Sequence, residues 1–118
     1  MPHFSDLSKS RLIGCDEPLQ VVCNEVILYF DVSVIWGQRG QEAQDEAYGN
    51  GYSQKKWPYS LHNRIQSLAV DLVPYPIDYN DIERFCLMSG YVLCIAAQKN
   101  VSLRWGGTWG DYGHFEIR

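Results

Sequence analysis

The run Leu68-Ala69-Val70-Asp71-Leu72-Val73, which ends at Pro74, decides the fold class that we predict for this chain. Five of its six residues are apolar and a proline follows, which predicts a short, mostly buried β-strand. Because side chains alternate between the two faces of a strand, Asp71 lies on the opposite face from Val70 and Leu72. A carboxylate in so apolar a strand needs a partner, since burial of an unpaired charge is costly.

Helical and strand-like patterns alternate on both sides of this run. Apolar residues recur three and four positions apart over residues 17–29, whereas residues 78–99 are apolar nearly all round and predict a central core helix. The predicted helices cover residues 5–12, 17–29, 40–48 and 78–99, and the predicted strands cover residues 31–36, 68–73, 103–105 and 114–117. This order predicts an α+β domain in which helices flank a small antiparallel sheet.

The chain has 118 residues, which is enough for one domain, residues 1–118, with a single modest core. Its formal net charge of −4 argues against nucleic acid as a partner, and a polyanionic target would have to be met by a local basic patch. No apolar stretch is long enough to span a bilayer, and the first residues lack the features of a signal peptide. We therefore expect a monomer that is made in the cytoplasm and does not insert into a membrane.

The four cysteines, Cys15, Cys23, Cys86 and Cys94, include no C-x-x-C pair, which disfavours a thiolate zinc site. Cys23 and Cys86 fall at apolar positions of predicted helices. We therefore expect buried, reduced thiols that act as small hydrophobic side chains. A catalytic Cys–His pair is the alternative, but no cysteine lies in a loop beside a histidine.

Two of the three histidines, His62 and His114, lie in polar and aromatic contexts that are typical of metal ligands. Two imidazoles and one carboxylate, such as Asp71, can hold Zn²⁺ and leave one position open for water, which is the pattern of a catalytic zinc site. A loop ligand, His62, and a strand ligand, Asp71, can meet at one edge of the sheet. Asp111 stands three residues before His114, close enough to act as the general base on that water.

Each of these residues also has a purely structural interpretation. His62 is then a surface histidine bonded to its own loop, and His114 is a capping or core histidine. Asp71 is then a buried carboxylate paired with an arginine, and Asp111 is a turn residue beside a glycine. The arginines available to pair with Asp71 are Arg39, Arg64 and Arg104.

Two further charged residues belong with the predicted site. Arg39 follows the first predicted strand, where it is either a solvated loop residue or a group that binds substrate and stabilises an oxyanion. Glu116 shares a strand face with His114, so it either orients that ligand or competes with Asp111 as the base.

The spacing of these residues resembles the LAS group of zinc peptidases, which includes D-alanyl-D-alanine carboxypeptidases and phage endolysin L-alanyl-D-glutamate peptidases. That family has Ser-x-His followed by Ala-x-Asp, then an acidic residue shortly before a second histidine. Upstream it has an arginine with a glutamine five residues later. The corresponding residues here are Ser60, His62, Ala69, Asp71, Asp111, His114, Arg39 and Gln44. The likeness extends from about Leu12 to the end of the chain, and residues 69–76 and 104–109 look especially like small phage-encoded members.

The resemblance implies a zinc-dependent endolysin that hydrolyses the L-Ala–D-Glu bond of peptidoglycan stem peptides. The implied ligands of one Zn²⁺ per chain are His62, Asp71 and His114. Asp111 would be the base, Arg39 would polarise the scissile carbonyl, and Ser60 and Gln44 would line the substrate site. Such an enzyme acts on the cell wall after its release from the cytoplasm, for which a separate pore-forming protein is expected.

Two departures from the family pattern bear on substrate choice. In the family, the segment between the first histidine and the aspartate is usually shorter and contains a glycine. Here Asp71 follows His62 by nine residues, and Ser67 lies near the position of that glycine. The loop from Trp105 to His114, which forms part of the substrate wall, is short.

Two alternative functions remain open. One is a D-Ala-D-Ala carboxypeptidase or dipeptidase, which needs a basic contact for the terminal carboxylate; the candidates are Arg64, Lys55 and Lys56. The other is a non-catalytic virion component that binds peptide.

Overall fold

Four antiparallel strands form the sheet that carries the predicted site in a computed structural model, which describes residues 2–118. The strands are β1 (Val32–Trp36), β2 (Ala69–Pro74), β3 (Leu103–Trp105) and β4 (His114–Ile117), in the spatial order β1-β2-β4-β3. β2 therefore pairs on both sides, as its nearly continuous apolar sequence favours. The predicted α+β class with a small antiparallel sheet is confirmed, and Met1 of the predicted domain lies outside the described residues.

The helices are α1 (Asp6–Ile13), α2 (Glu17–Val26), α3 (Gln41–Gly49) and α4 (Ile82–Gln98). Side-chain caps begin two of them: Ser5 accepts the N–H of Ser8 at the start of α1, and Asp81 accepts the N–H of Arg84 at the start of α4. The predicted helix over residues 17–29 ends earlier, at Val26, and turns lead from it to β1. Short 3₁₀ helices at Leu61–Asn63 and Gly106–Trp109 lie in segments that the sequence had indicated as loops.

The hydrophobic core forms where α4 contacts both α2 and the sheet. Fully or nearly fully buried side chains from these elements include Leu19, Val22, Val26, Val34, Leu72, Met88, Val92 and Phe115. The apolar positions of α2 recur three and four residues apart, so one stripe of that helix faces the core. No helix within residues 2–118 combines the length and the apolarity needed to cross a bilayer.

The core helix predicted over residues 78–99 is present as α4 and packs on the core, but it starts later and is buried on one side only. α2 and the sheet cover only one side of α4, and the other side, which includes Leu87, is exposed to solvent. Cys86 and Cys94 lie on this open side, so the prediction of buried thiols fails for them. It is confirmed for Cys15 and Cys23, which lie in the core.

The sheet presents a polar surface on the face opposite the core. His114 and Glu116 alternate with Phe115, which is completely buried, so the two polar side chains share the other face. The register places Asp71 directly opposite His114. These residues lie on β2 and β4, the two central strands, so the site lies on the face of the sheet rather than at the edge that the sequence predicted.

Candidate active site

Three predicted metal ligands converge on this face of the sheet. Asp71 and His114 meet across the β2–β4 pair, and His62 approaches from the 3₁₀ helix Leu61–Asn63. Asp71 Oδ1 lies 3.0 Å from His114 Nδ1 and 3.3 Å from His62 Nε2, and the two nitrogens lie 3.3 Å apart. Both imidazoles are almost fully buried, whereas the carboxylate is partly open to the cavity in front of it.

His62 is held by the cap of its short helix and by a backbone carbonyl. Ser60 Oγ accepts the N–H of His62, and Ser60 N–H donates to Asn63 Oδ1, which forms a reciprocal cap. His62 Nδ1 donates to the Gly37 carbonyl at 2.7 Å, so its Nε2 presents a lone pair to the cluster. Gly37 has no room for a side chain, because a Cβ there would clash with the Arg11 carbonyl.

His114 is oriented in the same manner by a carboxylate. Its Nε2 lies 2.8 Å from Glu116 Oε1, on the side of the ring away from Asp71. Each imidazole thus uses one nitrogen for orientation and directs the other into the cluster, as metal-binding histidines usually do. Glu116 is therefore placed to orient His114, one of the two roles that the sequence left open.

The three converging atoms fit the geometry of a tetrahedral zinc site. Zinc bonds of about 2.0–2.1 Å imply that any two ligand atoms of a tetrahedron lie about 3.3 Å apart. The observed separations of 3.0 to 3.3 Å agree with this value. His62, Asp71 and His114 each offer one ligand atom, so together they can hold a metal ion and leave one corner of the tetrahedron for another ligand.

The charges of the cluster stabilise one another. Burial would raise the pKa of Asp71, but His62 and the hydrogen bond from His114 hold that pKa well below its usual range. Burial would lower the pKa of His114, but the hydrogen bond and charge of Asp71, followed by the hydrogen bond of Glu116, raise it to about 9. Protonation of His114 therefore competes with metal binding, since a metal ion needs the free lone pair.

The metal-free protein is expected to lose stability as the pH rises from about 6.5 to about 9. Folding raises the pKa of His114, so its protonated form stabilises the fold fully below pH 6.5. This contribution is lost as the pH rises past the pKa of His114 in the folded protein. The contribution of Asp71 to stability depends on pH in the opposite direction, because folding lowers its pKa. It is present above pH 3.8 and is lost only in acid. Urea denaturation in the presence of a chelator measures the effect. If the free energy of unfolding of His114→Asn fell with pH as steeply as that of the parent protein, His114 would not be the cause.

Arg39 connects the cluster to a buried amide. Its Nη2 lies 3.5 Å from Asp71 Oδ2, and its Nη1 donates to Gln44 Oε1 at 3.1 Å. Gln44 is completely buried, and its Nε2 donates to Ser53 Oγ and to the Lys55 carbonyl. The structure therefore places Gln44 behind Arg39 and not in the substrate site, because all of its polar atoms have partners inside the protein.

Asp111 stands at the open side of the cluster. Its Oδ2 lies 4.0 Å from His114 Nδ1, and its side chain is 52% exposed. No hydrogen bond engages this carboxylate within residues 2–118. Partial burial and the nearby charge of Asp71 raise its pKa, which makes it a better proton acceptor than an ordinary aspartate.

A cavity of about 1030 Å³ opens in front of these residues. Seven of the predicted site residues line it: Arg39, Ser60, His62, Asp71, Asp111, His114 and Glu116. Trp36, Lys55, Arg104 and Trp109 line it as well. The cavity therefore leads from solvent to the three converging ligand atoms, and it is large enough for a peptide.

Two residues of the site were missed by the sequence interpretation. Asn63 Nδ2 donates to the Arg39 carbonyl and to Gln44 Oε1, so this amide joins His62's helix to Arg39. The Ser-x-x-Asn spacing of a helix cap could have indicated it. The Gly37 carbonyl, which orients His62, gives no signal in the sequence because any residue has one.

The chain resembles known proteins along nearly its whole length. Residues 2–118 match the model of a family described as phage L-alanyl-D-glutamate peptidase. The L-alanyl-D-glutamate peptidase of Escherichia phage T5 is 29% identical over 123 residues, which cover 98% of this chain and 88% of that protein. The crystal structure of the Serratia marcescens L-Ala D-Glu endopeptidase ChiX aligns with a TM-score of 0.83 at 25% identity, and the alignment covers 99% of this chain and 91% of that one.

Proposed function

The chain belongs to the phage L-alanyl-D-glutamate peptidase family, and from this premise we propose that it hydrolyses the L-Ala–D-Glu bond of peptidoglycan stem peptides with one zinc ion. The observation that carries the proposal is the triangle of His62, Asp71 and His114 ligand atoms at the end of an open cavity. Asp111, whose carboxylate forms no hydrogen bond within residues 2–118, stands beside it, 4.0 Å from His114 Nδ1. A buried ion-pair network alone would account for the triangle but not for the cavity and the free base.

Zinc is the metal that this donor set favours. Two neutral imidazoles and one carboxylate at tetrahedral separations are the ligands of many catalytic zinc sites, whereas calcium and magnesium prefer oxygen ligands alone. When bound, zinc would supply Lewis acidity, which polarises a carbonyl group and makes water more acidic.

Asp111 is the proposed proton carrier. It would take the proton from the attacking water as the water oxygen bonds to the carbonyl carbon of L-Ala. When the C–N bond breaks, the same proton would pass to the leaving amine of D-Glu, so that atoms and charge balance. Asp111 suits this role because its carboxylate has no hydrogen-bond partner within residues 2–118 and because its pKa is raised by partial burial and by Asp71.

Arg39 would stabilise the negative charge that develops on the scissile carbonyl oxygen. Its guanidinium lines the cavity beside Asp71, and Gln44 holds it from behind. Desolvation lowers the pKa of Arg39, while the charges of Asp71 and Asp111 raise it, so the two effects oppose each other. The guanidinium stays charged, since arginine does not lose its proton in proteins.

Arg39→Lys is expected to reduce kcat about 100-fold with a much smaller change in KM. Lysine keeps the charge but lacks the planar group that reaches both Gln44 and the substrate carbonyl. Steady-state kinetics on a synthetic stem peptide measures the split between kcat and KM, and a melting curve checks that the variant is folded. A kcat within twofold of the parent protein would exclude Arg39 from transition-state stabilisation.

Mass spectrometry of the fragments released from purified peptidoglycan tests the proposed function directly. New fragments with N-terminal D-Glu, lost with a chelator and restored by zinc, would establish the endopeptidase. Free D-Ala would instead indicate the carboxypeptidase alternative. For that activity Lys55 lines the cavity, whereas Arg64 is exposed outside it. No release from a folded, zinc-loaded protein would favour the non-catalytic, peptide-binding alternative.

The cellular setting follows from this proposal. A peptidoglycan peptidase has its substrate in the cell wall, so the protein would act there after release from the cytoplasm. A separate pore-forming protein would provide that route, and a monomer would suffice for catalysis because one chain supplies the whole cluster.

A further inference from the structure

Arg104 is a charged residue of the cavity that the catalytic proposal does not use. It lies on β3 directly opposite Glu116 and lines the same cavity as the metal ligands. Its guanidinium stacks over the Trp109 ring at 4.6 Å, and the Trp109 ring packs edge-on against His114 at 5.9 Å. One indole ring thus separates this cation from a ligand of the predicted metal site.

The Arg104 guanidinium is exposed and contacts an aromatic ring, but no carboxylate within residues 2–118 neutralises it. Within residues 2–118 it forms neither a hydrogen bond nor an ion pair, although Glu116 is its cross-strand neighbour. Glu116 is instead directed to His114, at 2.8 Å. A guanidinium that stacks through its face keeps its N–H donors, which lie in its own plane, available to a carboxylate.

Within residues 2–118, two basic residues of the cavity, Arg104 and Lys55, form no ion pair, and of these Arg104 contacts Trp109, the ring that packs against His114. Among the acidic groups, Asp71 is paired with the histidines and Arg39, and Glu116 is paired with His114. Asp111 is partly exposed, and Glu46 lines the cavity from α3. Lys55, the remaining basic residue of the cavity, lies in the loop after α3.

A second, smaller cavity adjoins the first. It has a volume of about 260 Å³ and shares the lining residues Asp71, Gly110 and Asp111 with the larger cavity. Its lining is mostly apolar and includes Ile35, Val73, Tyr79, Phe85 and Tyr112. An apolar cavity suits the methyl group of alanine, whereas the Arg104 side suits an acidic residue.

Hydrolysis at L-Ala–D-Glu leaves glutamate on the amine side of the broken bond. Glutamate has two carboxyl groups, and only one of them continues the peptide, so the other remains a few bonds from the scissile nitrogen as a carboxylate or an amide. We propose that Arg104, stacked on Trp109, binds this remaining carboxylate and makes the enzyme prefer D-Glu over its amidated form. This inference rests on the proposed function, because it assumes the bond that is cleaved.

Two matched peptides test the inference: N-acetyl-L-Ala–D-Glu–L-Lys amide and the same peptide with the free D-Glu carboxyl converted to carboxamide. The parent protein is expected to favour the carboxylate peptide on the order of tenfold in kcat/KM, as a partly exposed charge-assisted contact allows. Arg104→Gln should bring this ratio close to one, chiefly through a higher KM for the carboxylate peptide. Arg64→Gln is the matched control, since Arg64 is exposed outside the cavity, and it should keep the ratio of the parent protein.

The outcomes separate this inference from the proposed function. Equal cleavage of both peptides by the parent protein would overturn the role of Arg104 alone. An equal loss on both peptides in Arg104→Gln would also overturn it, because a merely structural role has that effect. A second pair of peptides differs only in a carboxylate on the third residue, and it tests whether Arg104 recognises that residue instead of D-Glu. Discrimination confined to this second pair would refute the assignment to D-Glu. Cleavage of neither peptide would overturn the proposed function together with this inference.

Discussion

Replacement of Asp111 by asparagine is expected to lower kcat for the L-Ala–D-Glu bond by about 100- to 10,000-fold while one zinc ion per chain is retained. Asparagine has nearly the same shape as aspartate but cannot accept and return a proton. The Asp111 side chain is half exposed and forms no hydrogen bond within residues 2–118, so its replacement should hardly change the free energy of unfolding. The loss should therefore appear in catalysis and not in folding.

Glu116→Gln is the informative comparison for this variant. Glu116 contacts the far nitrogen of His114, so glutamine there should weaken zinc binding about 10- to 100-fold and leave the kcat of the fully loaded enzyme much less affected. Zinc content by elemental analysis and kcat at saturating zinc distinguish the two effects. Full activity of Asp111→Asn, combined with an inactive, zinc-loaded Glu116→Gln, would transfer the role of the base to Glu116.

Replacement of His114 by alanine is expected to abolish zinc binding and turnover together and to lower the melting temperature by on the order of 10 °C. His114 contributes Nδ1 to the cluster and Nε2 to Glu116, and it begins a strand that pairs with both β2 and β3. Its removal takes the hydrogen-bonded cation from Glu116 and leaves Asp71 with only His62 and Arg39, and loss of one partner of a buried ion pair costs about 3 kcal/mol or more.

His3→Ala is the matched control, because His3 is the remaining histidine and is exposed. It should retain the zinc content, activity and melting temperature of the parent protein. Differential scanning calorimetry and metal analysis on both variants, with and without chelator, separate the metal contribution from that of the ion pair. A His114→Ala protein with full zinc content and an unchanged melting temperature would contradict both the ligand assignment and the structural role.

The secondary structure could be predicted well because its causes are local. The apolar run at residues 68–73 and the stripe along residues 17–29 correspond to β2 and α2, since strand alternation and helical periodicity depend only on neighbouring residues. The same reasoning also predicted α4 as a core helix, but not that one side of it is exposed. Apolar residues surround that helix, but its exposure depends on which elements pack against it, and only α2 and the sheet do so.

The candidate site was also predictable only in part. The residue types and spacing of His62, Asp71 and His114 were sufficient to predict three ligands, and the structure brings their ligand atoms within 3.3 Å of one another. The sequence could not predict that the Gly37 carbonyl orients His62 or that Gln44 is completely buried. Both depend on contacts between segments far apart in the chain, such as the 25-residue separation of Gly37 and His62.

By itself, the sequence determined the elements, their order and the chemical groups available for catalysis, because these follow from the residues and their immediate neighbours. Only the tertiary structure decided that β4 lies between β2 and β3, which aligns His114 with Asp71 and Arg104 with Glu116. It also placed the Arg104 guanidinium over the Trp109 ring in the larger cavity, and a smaller apolar cavity that shares Asp111 with it. Strand order and cavity shape arise from the packing of distant segments, and a linear pattern of residues carries no direct record of that packing.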